Sequence, residues 1–186
     1  MTTMPANEFA TFEDLKELVD SLFYAAVQHQ DQRRKNARKT PYINHPLELL
    51  HVLVVEAGVR DKAALNGAVL HDTIEDTDTT EANLRARKGD TITDVVVAMS
   101  DDKSLPKALR KQLQIDHAQD WSYSARLAEY ADKICNLRNL VVEHPEGWTL
   151  ERVREFFDWA KAVIEKIRGT HPKLDELFDE VYAQKP

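Results

Sequence analysis

The spacing of apolar residues is the feature that most constrains the fold of this 186-residue chain. From Thr11, which opens a capping-box pattern TFED, apolar side chains recur every three or four residues up to about His29. The sequence shows no convincing alternation of apolar and polar residues of the kind typical of a half-buried β-strand. We therefore predict an all-α fold.

Start and stop signals divide the rest of the chain into further helices. The predicted helices run from Pro46 to Gly58, from Asp61 through HDTIED at 71–76, from Thr80 to Gly89, from a second capping-box pattern TITD at 91–94 to about Asp101, and over 105–119, 124–142, 150–168 and 172–183. The sequence thus predicts a compact helical bundle of about eight or nine helices.

Composition favours one domain that spans residues 1–186. The chain is 42% hydrophobic and 31% charged, which suits a globular domain with a sizeable core. It has five glycines and no Gly/Ser-rich linker. The N-terminal stretch MTTMPANEFATFED lacks the basic and apolar regions of a targeting segment, and the lone Cys135 suits a reducing compartment. We expect a cytoplasmic protein.

Overall charge argues against two classes of partner. The net charge is −7 and the isoelectric point is near 5.5. A protein with this balance is not broadly attracted to nucleic acid or to anionic lipid. We therefore expect no nucleic acid and no membrane among its partners. The oligomeric state stays open.

The segment HDTIED concentrates a histidine and three carboxylates in six residues. On a continuous helix, His71, Asp72, Glu75 and Asp76 would fall within an arc of about 140°. Carboxylates at a helix C-terminus are unfavourable, so a positive group should offset them. A divalent metal could be held by His71 and Asp72 while Glu75 and Asp76 handle water. The alternative is a solvated acidic helix end.

Two other segments offer further ligands. His45 stands directly before Pro46 at a predicted helix start, although a lone histidine there could also be a cap or a core residue. Asp132 lies among apolar residues in LAEYADKICNLRNL, where an unpaired carboxylate would be costly. Asn136 lies one helical turn away on the same face.

The segment RRKNARK, residues 33–39, is a local exception to the acidic balance, with five basic residues in seven. Taken alone it could be a solvated loop or a nucleic-acid patch. Because it leads directly into YINHP and His45, it can instead place cations beside the metal, where a polyphosphate would lie.

These motifs carry a family resemblance. The order histidine, histidine-aspartate, aspartate in an all-α chain resembles the HD phosphohydrolase superfamily. RRKNARKTPYINHP, GAVLHDTIEDTDTT, SDDKSLPK and ADKICNLRNL resemble the hydrolase domain of RelA/SpoT proteins. More narrowly, they resemble the small stand-alone alarmone hydrolases, a group that includes the animal SpoT homologue. The similarity extends from about Ala25 to Ala160.

The resemblance implies a role for each candidate residue. The implied metal is Mn²⁺, and the implied reaction uses an activated water. The implied metal ligands are His45, His71, Asp72 and Asp132. The residues implied to orient and activate the water are Glu75 and Asp76, and those implied to contact the substrate are Arg34, Lys35, Lys107 and Asn136. Arg152 could also reach a phosphate. For Lys107 and Asn136, an exposed lysine and a structural amide remain the alternatives.

The implied function is a metal-dependent guanosine-3′,5′-bis(diphosphate) 3′-pyrophosphohydrolase. It would degrade ppGpp to GDP, or pppGpp to GTP, with release of pyrophosphate. The nearest alternative is another nucleotide phosphohydrolase, such as one that removes the 2′-phosphate of NADPH. A nucleic-acid-binding module that uses residues 33–39 is a non-enzymatic alternative. Phe156 departs from some close relatives, which have tyrosine there.

Overall fold

The computed structural model describes residues 7–186. The first six residues, which belong to the predicted domain and to the stretch judged free of targeting features, lie outside the described residues. The first helix, α1, spans Phe12–Gln28. The Thr11 hydroxyl accepts a bond from the Asp14 amide at 3.1 Å, and the Asp14 carboxylate accepts one from the Thr11 amide at 2.7 Å. The predicted capping box is therefore confirmed.

The other elements are also helical, and most begin and end near the predicted residues. They are α2 (Asn44–Leu50), which continues as a π-helical segment (His51–Glu56), α3 (Lys62–Leu70), α4 (Thr73–Asp76), α5 (Glu81–Met99), α6 (Lys107–His117), which leads into a 3₁₀ turn (Ala118–Asp120), α7 (Tyr123–Val142), α8 (Leu150–Ile167) and α9 (Pro172–Tyr182). Within residues 7–186, β-structure is limited to isolated bridges. The all-α prediction is confirmed.

The predicted helix through HDTIED is wrong, because α3 ends at Leu70 and α4 begins at Thr73. Side chains, rather than backbone amides, form hydrogen bonds to the last carbonyls of α3. His71 Nδ1 lies 2.8 Å from the Ala68 oxygen, and the Thr73 hydroxyl donates to the Leu70 oxygen at 2.7 Å. Between them, Asp72 has φ −96° and ψ 0°, outside the helical range. His71 and Asp72 therefore lie in a break between two helices.

The predicted capping box at TITD is wrong as well. Gly89, with φ 76°, ends the short first part of α5 as expected, but helical geometry resumes at Asp90 rather than after Thr91. The Asp94 carboxylate, which a capping box would turn back toward the helix start, bonds Arg85 at 2.7 Å. Asp94 therefore pairs with Arg85 across the kink instead of capping the second part of α5.

Helix α3 lies at the centre of the molecule and positions the site residues. All of its residues from Ala63 to Leu70 are buried, and it packs against α1, α2, α5 and α7. Helix α7 also packs against α2, α5, α8 and α9. This arrangement brings the C-terminus of α3, the first turn of α2 and the middle of α7 together.

The crossing of α3 and α5 depends on Gly67. A Cβ atom on Gly67 would lie 2.8 Å from the Val95 Cβ and closer still to a Val95 methyl group. We expect Gly67→Ala to lower the free energy of unfolding by about 1–3 kcal/mol, because both positions are buried. Urea denaturation measures this change. In a Val95→Ala background the clashing methyl groups are absent and only the Cβ contact remains, so the same substitution should cause a smaller loss. An equal loss would refute the methyl clash.

Among residues 7–186, no helix combines the length and apolar character needed to cross a bilayer.

Candidate functional site

The four predicted metal ligands converge at the junction of three helices. His45 comes from the first turn of α2, His71 and Asp72 from the break after α3, and Asp132 from α7. His45 Nε2 lies 3.1 Å from Asp132 Oδ1, and His71 Nε2 lies 2.9 Å from Asp72 Oδ2. His71 Nε2 is also 3.9 Å from Asp132 Oδ1. One ligand atom from each of His45, His71 and Asp72 lies within 4.8 Å of the others.

The donor set suits a divalent metal ion. The Nδ1 atom of His71 faces the Ala68 carbonyl, so this nitrogen carries the proton and Nε2 keeps its lone pair toward the cluster. Burial, with a smaller effect from His45, lowers the pKa of His71 to about 4, so its ring is neutral at pH 7. Two imidazole nitrogens and two carboxylates are suitable ligands for such an ion.

The two carboxylates of this cluster differ in their electrostatic surroundings. Burial, followed by the charge of Asp132, raises the pKa of Asp72 well above its usual range. Burial also opposes the ionised form of Asp132, but Lys133 and His45 hold its pKa well below the usual range. A cation between the two carboxylates would favour the ionised form of Asp72.

Sequence reasoning missed Lys133 and Tyr42, which contact the predicted ligands. The Lys133 ammonium, on a buried side chain, lies 3.0 Å from Asp132 and 2.6 Å from Glu129. The Tyr42 hydroxyl donates a hydrogen bond to Asp72. A signal for Lys133 was present, because Glu129 lies one helical turn before it, at the spacing of an ion pair within a helix.

The acidic pair Glu75 and Asp76 lies on α4, directly after the ligands. Glu75 accepts a bond from the Asp101 amide at 3.0 Å, while Asp76 accepts one from Gln32 at 3.1 Å and another from Lys103. Burial raises the pKa of Glu75. For Asp76, burial acts in the same direction, but Lys103 and Gln32 outweigh it and lower the pKa. The two carboxylates thus have opposite protonation tendencies, as acid–base pairs often do.

A cleft of ≈ 460 Å³ adjoins this acidic pair. Glu75, Arg34, Lys35 and Asn136 all line it. Arg34 lies over the Tyr42 ring, with its guanidinium carbon 5.8 Å from the ring centroid. Asn136 donates to Asp132 at 2.7 Å and faces Arg34 at 3.4 Å, so this amide both supports a presumed ligand and lines the cleft.

The other two predicted substrate contacts, Lys107 and Arg152, line a second cleft of ≈ 600 Å³ between α6 and α8. Trp148 and Phe156 line both clefts and form their shared wall. The Arg152 guanidinium carbon lies 4.1 Å from the centroid of a Trp148 ring. The structure thus divides the predicted substrate residues between two adjoining spaces.

Comparisons with known proteins agree with this architecture. Residues 21–155 match the family model described as HD domain. The chain is 43% identical over 172 residues to guanosine-3′,5′-bis(diphosphate) 3′-pyrophosphohydrolase MESH1 of Xenopus tropicalis, covering 92% of this chain and 96% of that protein. It is 42% identical over 185 residues to the protein of the same name from Drosophila melanogaster, covering 100% of this chain and 98% of that one.

A solved structure gives the same result in three dimensions. It is described as a metazoan ortholog of SpoT that hydrolyzes ppGpp and plays a role in starvation responses. Its TM-score is 0.87 at 42% identity, and the match covers 91% of this chain and 95% of that one. The chain therefore belongs to the HD domain family, in the branch that contains the MESH1 proteins.

Proposed function

We propose that this protein is a guanosine-3′,5′-bis(diphosphate) 3′-pyrophosphohydrolase that degrades ppGpp to GDP and pppGpp to GTP, releasing pyrophosphate in each case. The observation that carries the proposal is the juxtaposition of a largely buried two-histidine, two-aspartate cluster with the Glu75–Asp76 pair, beside two clefts whose linings include lysines and arginines. The relatives that bear this activity in their names align with almost the whole chain.

The HD domain implies a divalent metal, and we propose Mn²⁺ held by His45, His71, Asp72 and Asp132. When bound, such an ion polarises a phosphoryl oxygen and lowers the pKa of water. The protein's own contribution is to orient the ligands: the Ala68 carbonyl fixes the His71 ring, and Tyr42, Lys133 and Asn136 hold the two carboxylates.

Glu75 and Asp76 orient the attacking water and accept its proton. The water oxygen forms a bond to the phosphorus attached to the ribose 3′ oxygen, and the bond between that phosphorus and the 3′ oxygen breaks. The 3′ oxygen takes a proton and remains on the nucleoside. Lys103, which bonds Asp76 and lies 3.8 Å from Glu75, holds both carboxylates in place.

The cleft residues bind the nucleotide. In this proposal Arg34 stacks on the guanine base, Lys35 and Lys107 contact phosphates, and Asn136 contacts the ribose. Arg152 supplies a further cation from α8. Phe156 offers no hydroxyl where some relatives have tyrosine, so it contributes an apolar wall alone.

We also propose that residues 1–186 form one hydrolase domain and that the protein is cytoplasmic. The HD domain match over residues 21–155 and the near-complete coverage of the relatives support the first statement. The single cysteine, Cys135, is buried and free, which suits a reducing compartment.

Product analysis in ¹⁸O-labelled water tests the reaction. With Mn²⁺ and ppGpp, we expect pyrophosphate and GDP in a single step, with the solvent oxygen in pyrophosphate and none in the ribose hydroxyl. Phosphorus NMR and mass spectrometry follow both products. Stepwise release of orthophosphate would contradict the 3′-pyrophosphohydrolase assignment. Turnover of NADPH far above that of ppGpp at equal concentration would favour the alternative 2′-phosphatase.

A further inference from the structure

The second cleft, between α6 and α8, is lined by three cations and by the carboxylates of Glu151 and Glu155. Lys107, Lys111 and Arg152 all line it. Among the described residues, none of these three side chains forms a salt bridge, although Lys103 and Arg110 nearby are both paired with carboxylates. Neighbouring positive charges that lack direct ion pairs repel one another, and a bound anion would offset that repulsion.

Lys111 lies over two aromatic rings. Its ammonium lies 5.2 Å from the Phe156 ring centroid and 4.6 Å from that of Trp159. The Trp159 indole donates a hydrogen bond to the Lys111 carbonyl at 3.1 Å, which ties α8 to α6 at this point. Aromatic faces attract a cation but do not neutralise its charge.

A comparison with Lys133 shows what Lys111 lacks. The Lys133 ammonium also lies over the Trp159 ring, at 4.5 Å from the centroid, but it has Glu129 and Asp132 as ionic partners. Lys111 is half-buried and, within residues 7–186, forms no ion pair, although Glu155 lines the same cleft. Accordingly, burial, aided by the charge of Lys107, lowers the pKa of Lys111 to about 8. Partial burial of an unpaired cation is costly, and a bound anion would offset that cost.

We propose that this cleft is an anion subsite and that Lys111 binds one phosphate of a diphosphate group there. The inference rests on the proposed hydrolase function and adds a binding residue to it. The cleft shares Trp148 and Phe156 with the main cavity, and on α6 the neighbouring Arg110 lies 3.9 Å from Glu75. In this inference a diphosphate extends from the acidic pair along α6 to Lys111, the residue that follows Arg110.

This placement makes Lys111 a specificity-determining residue. A single phosphate at the metal cluster has no second phosphate to place beside Lys111, whereas a diphosphate has one. The residue therefore favours diphosphate esters over monophosphate esters, through binding rather than through the chemical step.

The first test measures binding of inorganic pyrophosphate and orthophosphate to the full-length protein. Trp148 and Trp159 adjoin the cleft, so tryptophan fluorescence can report its occupancy. A constant excess of Mg²⁺ over pyrophosphate keeps the pyrophosphate from removing the metal bound to the protein. We expect Lys111→Met to weaken pyrophosphate binding about tenfold and orthophosphate binding much less. Lys111→Arg should keep most of the affinity. Lys161→Met is the matched control, since Lys161 lies over Tyr182 outside this cleft.

The second test uses pH. The charged groups that face Lys111 are Lys107, Arg152, Lys133 and Glu155. Lys111 is protonated below a pH of about 8 and loses its charge above it. Pyrophosphate affinity of the unmodified protein should therefore fall more steeply above pH 8 than that of Lys111→Arg, whose guanidinium stays charged. Parallel pH profiles would count against the assignment.

The outcomes separate this inference from the proposed function. Equal pyrophosphate affinity in the unmodified protein and in Lys111→Met would overturn the subsite. If the unmodified protein binds pyrophosphate through Lys111 but does not hydrolyse ppGpp, the proposed function fails and the anion subsite stands. If it hydrolyses ppGpp with an unchanged KM in Lys111→Met, the function stands and the subsite is refuted.

Discussion

Asp132→Ala and Asp72→Ala are each expected to abolish bound manganese and to lower turnover of ppGpp by about 10³-fold or more. Each change removes a carboxylate that faces the two histidines. Asp132→Ala has a further effect, because it leaves the buried Lys133 with Glu129 as its remaining carboxylate. Elemental analysis, activity and thermal unfolding of each purified variant separate metal loss from misfolding.

Tyr42→Phe is the matched control for Asp72. It removes the hydrogen bond to the carboxylate but keeps the carboxylate itself. Loss of such a supporting contact typically lowers metal affinity or activity by about 10–100-fold. This variant should therefore fall between the unmodified protein and Asp72→Ala. Full metal occupancy with normal activity in both aspartate variants would exclude them as ligands.

Glu75→Gln and Asp76→Asn are expected to keep the metal and to bind nucleotide, yet to lose about 10²–10⁴-fold in kcat. Each substitution preserves the size of the side chain and removes its ability to accept a proton from water. Because the contribution belongs to the transition state, the loss should appear in kcat with KM nearly unchanged. Steady-state kinetics with ppGpp, beside metal analysis of the same samples, provide the measurement.

The charged neighbours of this pair supply a control. Lys103→Met removes the ammonium that bonds Asp76 but leaves both carboxylates in place. It should reduce kcat less than either carboxylate change. An effect of Glu75→Gln and Asp76→Asn confined to KM would mean that the pair binds substrate and takes no part in water activation.

Local signals in the sequence predicted most of the fold. Thr11 and Asp61 cap their helices as expected, and Gly89 takes the left-handed conformation that stops the first part of α5. The break after Leu70 was missed, because the bonds from His71 and Thr73 to helix carbonyls become visible only in three dimensions. The spacing of apolar residues predicts that a segment is helical. It does not show which polar side chains will bond the helix carbonyls and end the helix.

The sequence predicted the site residues that are neighbours in the chain, and it missed partners whose contacts depend on the packing of helices. Residues of HDTIED are adjacent in sequence, and the resemblance linked them to His45 and Asp132. The partners Tyr42 and Lys133 were missed because a polar residue on a helix does not reveal which neighbouring helix it faces. Lys111 was missed for the same reason, since its setting depends on the packing of α6 against α8.

In the proposed function, the cations of the two clefts also determine where a polyphosphate binds on this protein. The chain carries 32 acidic residues against 25 lysines and arginines, and several of those cations lie in the clefts. The two clefts are lined by as many glutamates as cations, so the rest of the chain keeps the whole net charge of −7. With a Debye length of about 8 Å in physiological salt, an anion responds to the potential of the nearest patch rather than to the whole molecule. Adsorption of nucleotides elsewhere is disfavoured, so the acidic exterior itself keeps abundant cellular polyanions from accumulating at unproductive positions.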